Sequence, residues 1–201
     1  MDTTPITVKL IHVARSQGIV RPSDLAREGI PRVALTRAVR RGLLERIGRG
    51  MYCLPGRAVS AHGTLAEVAR RVPKGVVCLL SALRFHDLTT QAPFEVWLAI
   101  DNKAAEPRLD YPPLRLVRFS GAALTEGIEE RDVDGVTVRL TSVAKTVADC
   151  FKFRNKIGLD VALEALREAW NAKRMTANEI WHCAKIDRMT NVMRPYLESL
   201  T

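Results

Sequence analysis

An eleven-residue helical pattern, Pro31 to Arg41, carries Arg32, Arg37, Arg40 and Arg41 and runs straight into Gly42-Leu43-Leu44-Glu45-Arg46-Ile47-Gly48-Arg49-Gly50-Met51-Tyr52. A short helix, a glycine stop and a hairpin tipped by Gly-Arg-Gly outline a winged helix-turn-helix. That arrangement places one helix in a DNA major groove and a basic finger on the neighbouring backbone. Two helical segments precede it. The first runs from Pro5 to about Ser16, with Ile6, Leu10 and Val13 on one face. The second runs from Pro22 to Glu28 and stops at Gly29. Ile19-Val20 is long enough only for a strand stub.

On a wheel of 100° per residue, Leu35, Ala38 and Val39 share the inward side of the third helix. Val33, Arg37 and Arg40 point outward, flanked by Ala34, Thr36 and Arg41. No acid occurs between Ile30 and Leu44, so nothing on this face repels phosphate. Arginine reaches guanine O6 and N7 in bidentate fashion, threonine offers a hydroxyl or a methyl, and valine meets a thymine methyl. Arg32, Thr36, Arg37 and Arg40 are therefore the candidates for the groove, and Arg41 for a phosphate. In the hairpin, Arg46 and Arg49 are the candidates for phosphates or the minor groove. An ordinary surface turn with an incidental arginine is the plainer reading of Arg49.

Charge is distributed to match. The chain carries 31 Lys+Arg against 22 Asp+Glu, a formal net charge of +9. Residues 1–60 hold 11 basic and 4 acidic side chains, so +7 of that charge lies in the first 60 residues. A polyanion gains from such a segment by counterion release; the alternative is a solvated basic face that serves solubility. Pro55-Gly56-Arg57 breaks the pattern and marks a boundary, giving domains at 1–58 and 59–201.

The fold class expected is α+β: the winged helix-turn-helix, then a mixed α/β domain with a small, largely antiparallel sheet and a helical C-terminal part. Phe94 to Ile100 and Leu114 to Phe119 read as strands. Ile128 to Asp132 and Val136 to Leu140 form a hairpin about Asp134-Gly135. Helices follow over about 143–154, 159–173, 177–186 and 192–200.

Catalysis is hard to find. Glu95 and Asp101 flank a strand and would serve a metal-dependent nuclease, but Trp97 stands where a Glu-x-Lys pattern needs its lysine. There is no phosphate-binding glycine loop and no Gly-x-Ser-x-Gly. Lys145 and Asp149, at i and i+4, read as a surface pair or a helix–helix contact as readily as anything catalytic. His86 reads as a helix-end histidine. Cys53, Cys78, Cys150 and Cys183 are scattered, without Cys-x-x-Cys or a histidine cluster, as expected of core residues in a reducing cytoplasm. No cofactor, metal or catalytic residue is assigned. The N-terminus shows no signal peptide, and no apolar run approaches the roughly 18 residues of a membrane helix. A cytoplasmic protein without a membrane partner is expected.

Several segments carry a resemblance. Arg46 to Tyr52, Cys78 to Leu83, Thr89 to Pro93, and Ser142 to Cys150 followed by Phe151 to Gly158 look like the AbiEi-type antitoxins of abortive-infection toxin–antitoxin systems. The resemblance implies an N-terminal winged helix that represses its own operon by binding double-stranded operator DNA. It also implies a C-terminal domain that counteracts a nucleotidyltransferase-type toxin, with or without a stable complex, and no enzyme activity. The alternative is a winged helix fused to a metal-dependent nucleic-acid-processing enzyme that draws on Glu95 and Asp101.

Overall fold

The computed structural model describes residues 5–17, 20–48, 50–55, 62–91, 93–109 and 112–200. The chain is α+β and divides into two compact units, Met1–Gly63 and Thr64–Thr201.

The first unit comprises α1 (Pro5–Gln17), α2 (Pro22–Arg27), α3 (Val33–Arg40), β1 (Glu45–Gly48) and β2 (Met51–Cys53). Proline opens α2, where its missing N–H costs nothing, and Asp24 accepts a hydrogen bond from the Arg21 N–H at 3.2 Å. The third helix starts two residues later than its pattern predicts. Pro31 and Arg32 form a lead-in turn, with the Ala34 N–H on the Pro31 carbonyl and the Leu35 N–H on that of Arg32. Leu10, Val13, Ala14, Val20, Leu25, Ile30, Leu35, Ala38 and Leu44 form one buried cluster, with Tyr52 and Leu54 packed against it.

β1 and β2 pair antiparallel, Arg46 opposite Tyr52, with an irregularity before Gly48. Val20 and Tyr52 exchange two backbone hydrogen bonds of 2.8 and 3.0 Å, so the expected strand stub adds a third rung beside the hairpin. Gly50 sits at φ +70°, which a side chain would resist. Gly18, Ile19, Arg49, Gly56 and Arg57 lie outside the described residues, as do the side chains of Ile47 and Met51.

The second unit holds α4 (Gly63–Arg71), β3 (Val76–Val77), α5 (Leu79–Phe85), β4 (Val96–Asp101), β5 (Leu114–Phe119) and α6 (Ala122–Thr125). It continues with β6 (Ile128–Val133), β7 (Val136–Thr141), α7 (Val143–Lys152), α8 (Arg154–Ile157), α9 (Leu159–Asn171), α10 (Ala177–Ile186) and α11 (Thr190–Glu198). The sheet order is β5-β4-β3-β7-β6. β3–β4 and β6–β7 are antiparallel, whereas β3–β7 and β4–β5 are parallel. The expectation of a largely antiparallel sheet is thus corrected to a mixed one. β4 and β5 are consecutive yet parallel, and among the described residues no helix separates them to announce a crossover.

Asp134 and Gly135 turn the β6–β7 hairpin with φ values of +54° and +77°, the positive pair that a two-residue connection favours. One face of the sheet, through Val77, Leu98 and Leu140, packs on Leu65, Ala66 and Val68 of α4. The other, through Val76, Trp97, Ala99, Val117 and Phe119, packs on α5, α7, α9 and α10.

Helix α7 is the keystone of that second layer, with every residue from Val143 to Phe151 buried. Lys145 is among them, wholly inaccessible. Its ammonium donates to Asp149 Oδ1 and to both carboxylate oxygens of Asp187, at 3.2 and 3.1 Å, and lies 4.9 Å from the centre of the Phe119 ring. Lys152, one-third exposed, reaches Asp187 at 3.3 Å. Of the two readings of Lys145 and Asp149, the surface pair is overturned: the charges are interior, and Asp187, at the C-cap of α10, makes them a contact between helices.

The lysine stem lies against Gly127, whose φ is +66° and whose hypothetical Cβ would stand 2.9 Å from Lys145 Cβ. Gly127→Ala should therefore cost about 2 kcal/mol, combining left-handed strain with a clash against a buried stem. A thermal melt should fall by about 4–8 °C. Gly135→Ala, at φ +77° with nothing within 4 Å, meets the strain alone and should shift the melt about half as far. Equal shifts would show that the contact with Lys145 contributes nothing.

Candidate nucleic-acid interface

Helix α3 is held by Leu35 and Ala38, which are 1% and 3% exposed, while Ala34 and Val39 are half-buried. The 3.6-residue repeat then fixes the remainder. Arg32, Val33, Thr36, Arg37, Arg40 and Arg41 are all exposed along the opposite side. Five of the seven residues singled out in the sequence are thus brought onto one helix and its two flanking positions. Arg32 is the N-cap and Arg41 the C-cap, the latter hydrogen-bonded through its N–H to the Arg37 carbonyl. None of Arg32, Arg37, Arg40 and Arg41 forms an ion pair with a described residue.

None of the described acids of this unit lies on α3; Glu45 is exposed on β1 beside Arg46. Asp24 is engaged at the start of α2, and Glu28 takes Lys9, whose ammonium also donates to the Glu28 carbonyl at 2.6 Å. Internal pairing of these two carboxylates leaves the field over α3 positive, and a concentrated positive face attracts a polyanion over a distance of about one Debye length. Arg46 is exposed on β1 opposite Tyr52. Arg49 lies outside the described residues.

The carboxylates considered for a metal site do not converge. Glu95 immediately precedes β4 and pairs with Arg115 at 3.3 Å, while Asp101 ends that strand and accepts the Lys103 N–H at 2.8 Å. Six residues of extended chain put them about 20 Å apart, so one ion cannot bridge them. Among the described residues no group of three His, Cys, Asp or Glu side chains could hold a metal ion. His86 caps α5, is buried, and meets the Thr141 carbonyl through Nε2 at 2.8 Å. Burial lowers its pKa, against the pull of that carbonyl, so it is a neutral structural histidine at physiological pH. Burial pushes the Cys78 and Cys150 thiols well up and Cys183 up to about 11, which removes the reactive thiolate. No helix among the described residues is long and apolar enough to cross a membrane.

A positive, acid-free helix face beside a two-stranded hairpin is what a regulator of DNA needs, and comparison with known families falls on this unit. Residues 9–55 match the family model for the transcriptional regulator, AbiEi antitoxin. The AbiEi match spans α1 from Lys9 through β2 and includes all seven candidate residues. It bears out the family resemblance read in the sequence, which at Arg46 to Tyr52 falls inside the matched span. The similar segments from Cys78 onward lie beyond it. No curated protein sequence matches the chain.

Proposed function

We propose that the first unit is a winged helix-turn-helix that lays α3 in the major groove of double-stranded operator DNA and β1–β2 along the adjacent backbone. Through it the protein represses its own operon. The observation that supports this most is the row of four exposed arginines on α3 and its two caps, without an ion pair to a described residue, inside a segment that matches an antitoxin-type transcriptional regulator. The second unit is the antitoxin part, counteracting a nucleotidyltransferase-type toxin without chemistry of its own. The protein then works in the cytoplasm, and neither metal nor cofactor takes part.

Arg37 and Arg49 separate base reading from backbone holding. Arg37→Ala should remove a contact to a base edge worth about 1–3 kcal/mol, relaxing discrimination among sequences by roughly 5- to 150-fold. Arg49→Ala should weaken all duplexes alike and make the dependence of log K on log salt shallower by about one unit. Gel-shift titrations of a cognate and a scrambled duplex at several salt concentrations read both effects. Identical changes in specificity for the two variants would refute the assignment.

A further inference from the structure

The open groove beside α3 is built by two helices, not one. Ile6 and Thr7 of α1 stand across from Val33, Ala34, Arg37 and Arg41, and the space between them is about 80 Å³. Two of its apolar wall residues face solvent. Ile6 is 42% and Val33 51% exposed, and both line the groove together with the buried Ala38. Exposed aliphatic side chains at the N-terminal end of a helix, rimmed by two guanidinium groups, are poorly suited to water. They suit a group that offers a methyl beside negative charge.

We infer that this groove reads a thymine: the 5-methyl group enters between Val33 and Ile6, while Arg37 reaches the edge of the neighbouring base and Arg41 the phosphate. The inference rests on α3 lying in the major groove, where thymine is the base that projects a methyl. It adds α1 to the recognition surface, which the helical pattern of α3 alone does not reveal. Charge complementarity selects the occupant, because Arg37 and Arg41 favour a polyanion over a second copy of a unit that is itself strongly basic. Thr7 supplies a hydroxyl at the rim, able to reach a phosphate oxygen.

The test uses the full chain and a random-sequence duplex library. Duplexes retained after selection are resynthesised with each thymine replaced in turn by deoxyuridine, which removes only the methyl. At one or two positions this should weaken binding about fourfold, the size of one buried methyl group. Val33→Ala and Ile6→Ala, both at exposed positions and checked for native circular dichroism, should weaken the thymine duplex and abolish the difference between thymine and deoxyuridine. If duplexes are retained but no thymine position responds, or if both variants respond to deoxyuridine as the parent does, the groove does not read the methyl. If no duplex is retained at all, DNA binding itself fails, and the inference falls with it.

Discussion

Lys145→Ala is expected to destabilise the second unit by about 3–5 kcal/mol, the cost of stripping a buried charge cluster of its central partner. The melting temperature should fall by about 10 °C or more. Two effects combine. The carboxyl groups of Asp149 and Asp187 lose the buried ammonium that both accept from, and only Asp187 retains a second cation, Lys152 at 3.3 Å. The space left by the stem lies beneath Gly127, whose backbone has no side chain to fill it. Lys145→Met restores volume without charge and should recover part of the loss. A melt of Lys145→Ala within 2 °C of the parent would show that the cluster is not a keystone.

The same cluster gives the unit a recognisable response to pH. Burial pushes the Asp149 carboxyl well above its ordinary 3.8, against the attraction of Lys145 and with the repulsion of Asp187. A raised carboxyl favours its protonated form in the folded state, so its contribution is complete below about pH 3.8 and declines as the pH climbs. Burial alone would lower Lys145, but Asp149 and Asp187 outweigh it and leave the ammonium above its usual 10.5. Its contribution is present below pH 10.5 and is lost as the pH rises beyond it. Asp149→Asn keeps an acceptor for Lys145 and removes the titration. The stability of Asp149→Asn relative to the parent should therefore rise between pH 4 and pH 7 in chemical denaturation. A relative fall over that range is what an ordinary salt bridge would give, and it would contradict the assignment.

Division of labour between the units leads to the second large effect. The double variant Arg37→Ala with Arg40→Ala removes two outer-face guanidinium groups, each worth about 1–3 kcal/mol if it reaches a base. Operator affinity should fall by roughly 30-fold or more, and repression of a reporter with it. The substituted residues are exposed and make no ion pair with a described residue, so the fold should be indifferent. Protection of cells against a nucleotidyltransferase-type toxin expressed from an unrelated promoter should persist at equal protein level. Removing the helices after Ser142 should do the reverse in the growth assay. A double variant that is folded and abundant yet fails to protect would mean that neutralisation runs through nucleic acid, and the separation of roles would be wrong.

Local features were legible where one short stretch of chain determines the outcome. Leu35 and Ala38, set among arginines, place the outer face of α3 without knowledge of any other element. Asp134-Gly135 dictates its own turn. What escaped depends on distant residues. The spacing of Lys145 and Asp149 left a surface pair and a helix–helix contact equally open, because the burial that decides between them comes from β5 and α10, and the third member, Asp187, lies 42 residues from Lys145. The parallel pairing of β4 with β5 and of β3 with β7 escaped for a similar reason. Strand direction is set by the path of the connection, and residues 102–113 carry no helical pattern to reveal one. The α1–α3 groove was likewise invisible, since the exposed Ile6 belongs to a stripe that reads as wholly inward.

Photocrosslinking tests the placement of α3 most directly. A photoreactive residue at Thr36 samples the exposed face of that helix, and the same residue at Lys185 samples an exposed basic position on α10. With the full chain bound to a duplex from its own upstream region, Thr36 should crosslink to DNA and Lys185 should not, and unlabelled duplex should compete. Crosslinking from Lys185 with none from Thr36, at equal binding, would contradict a DNA-facing α3.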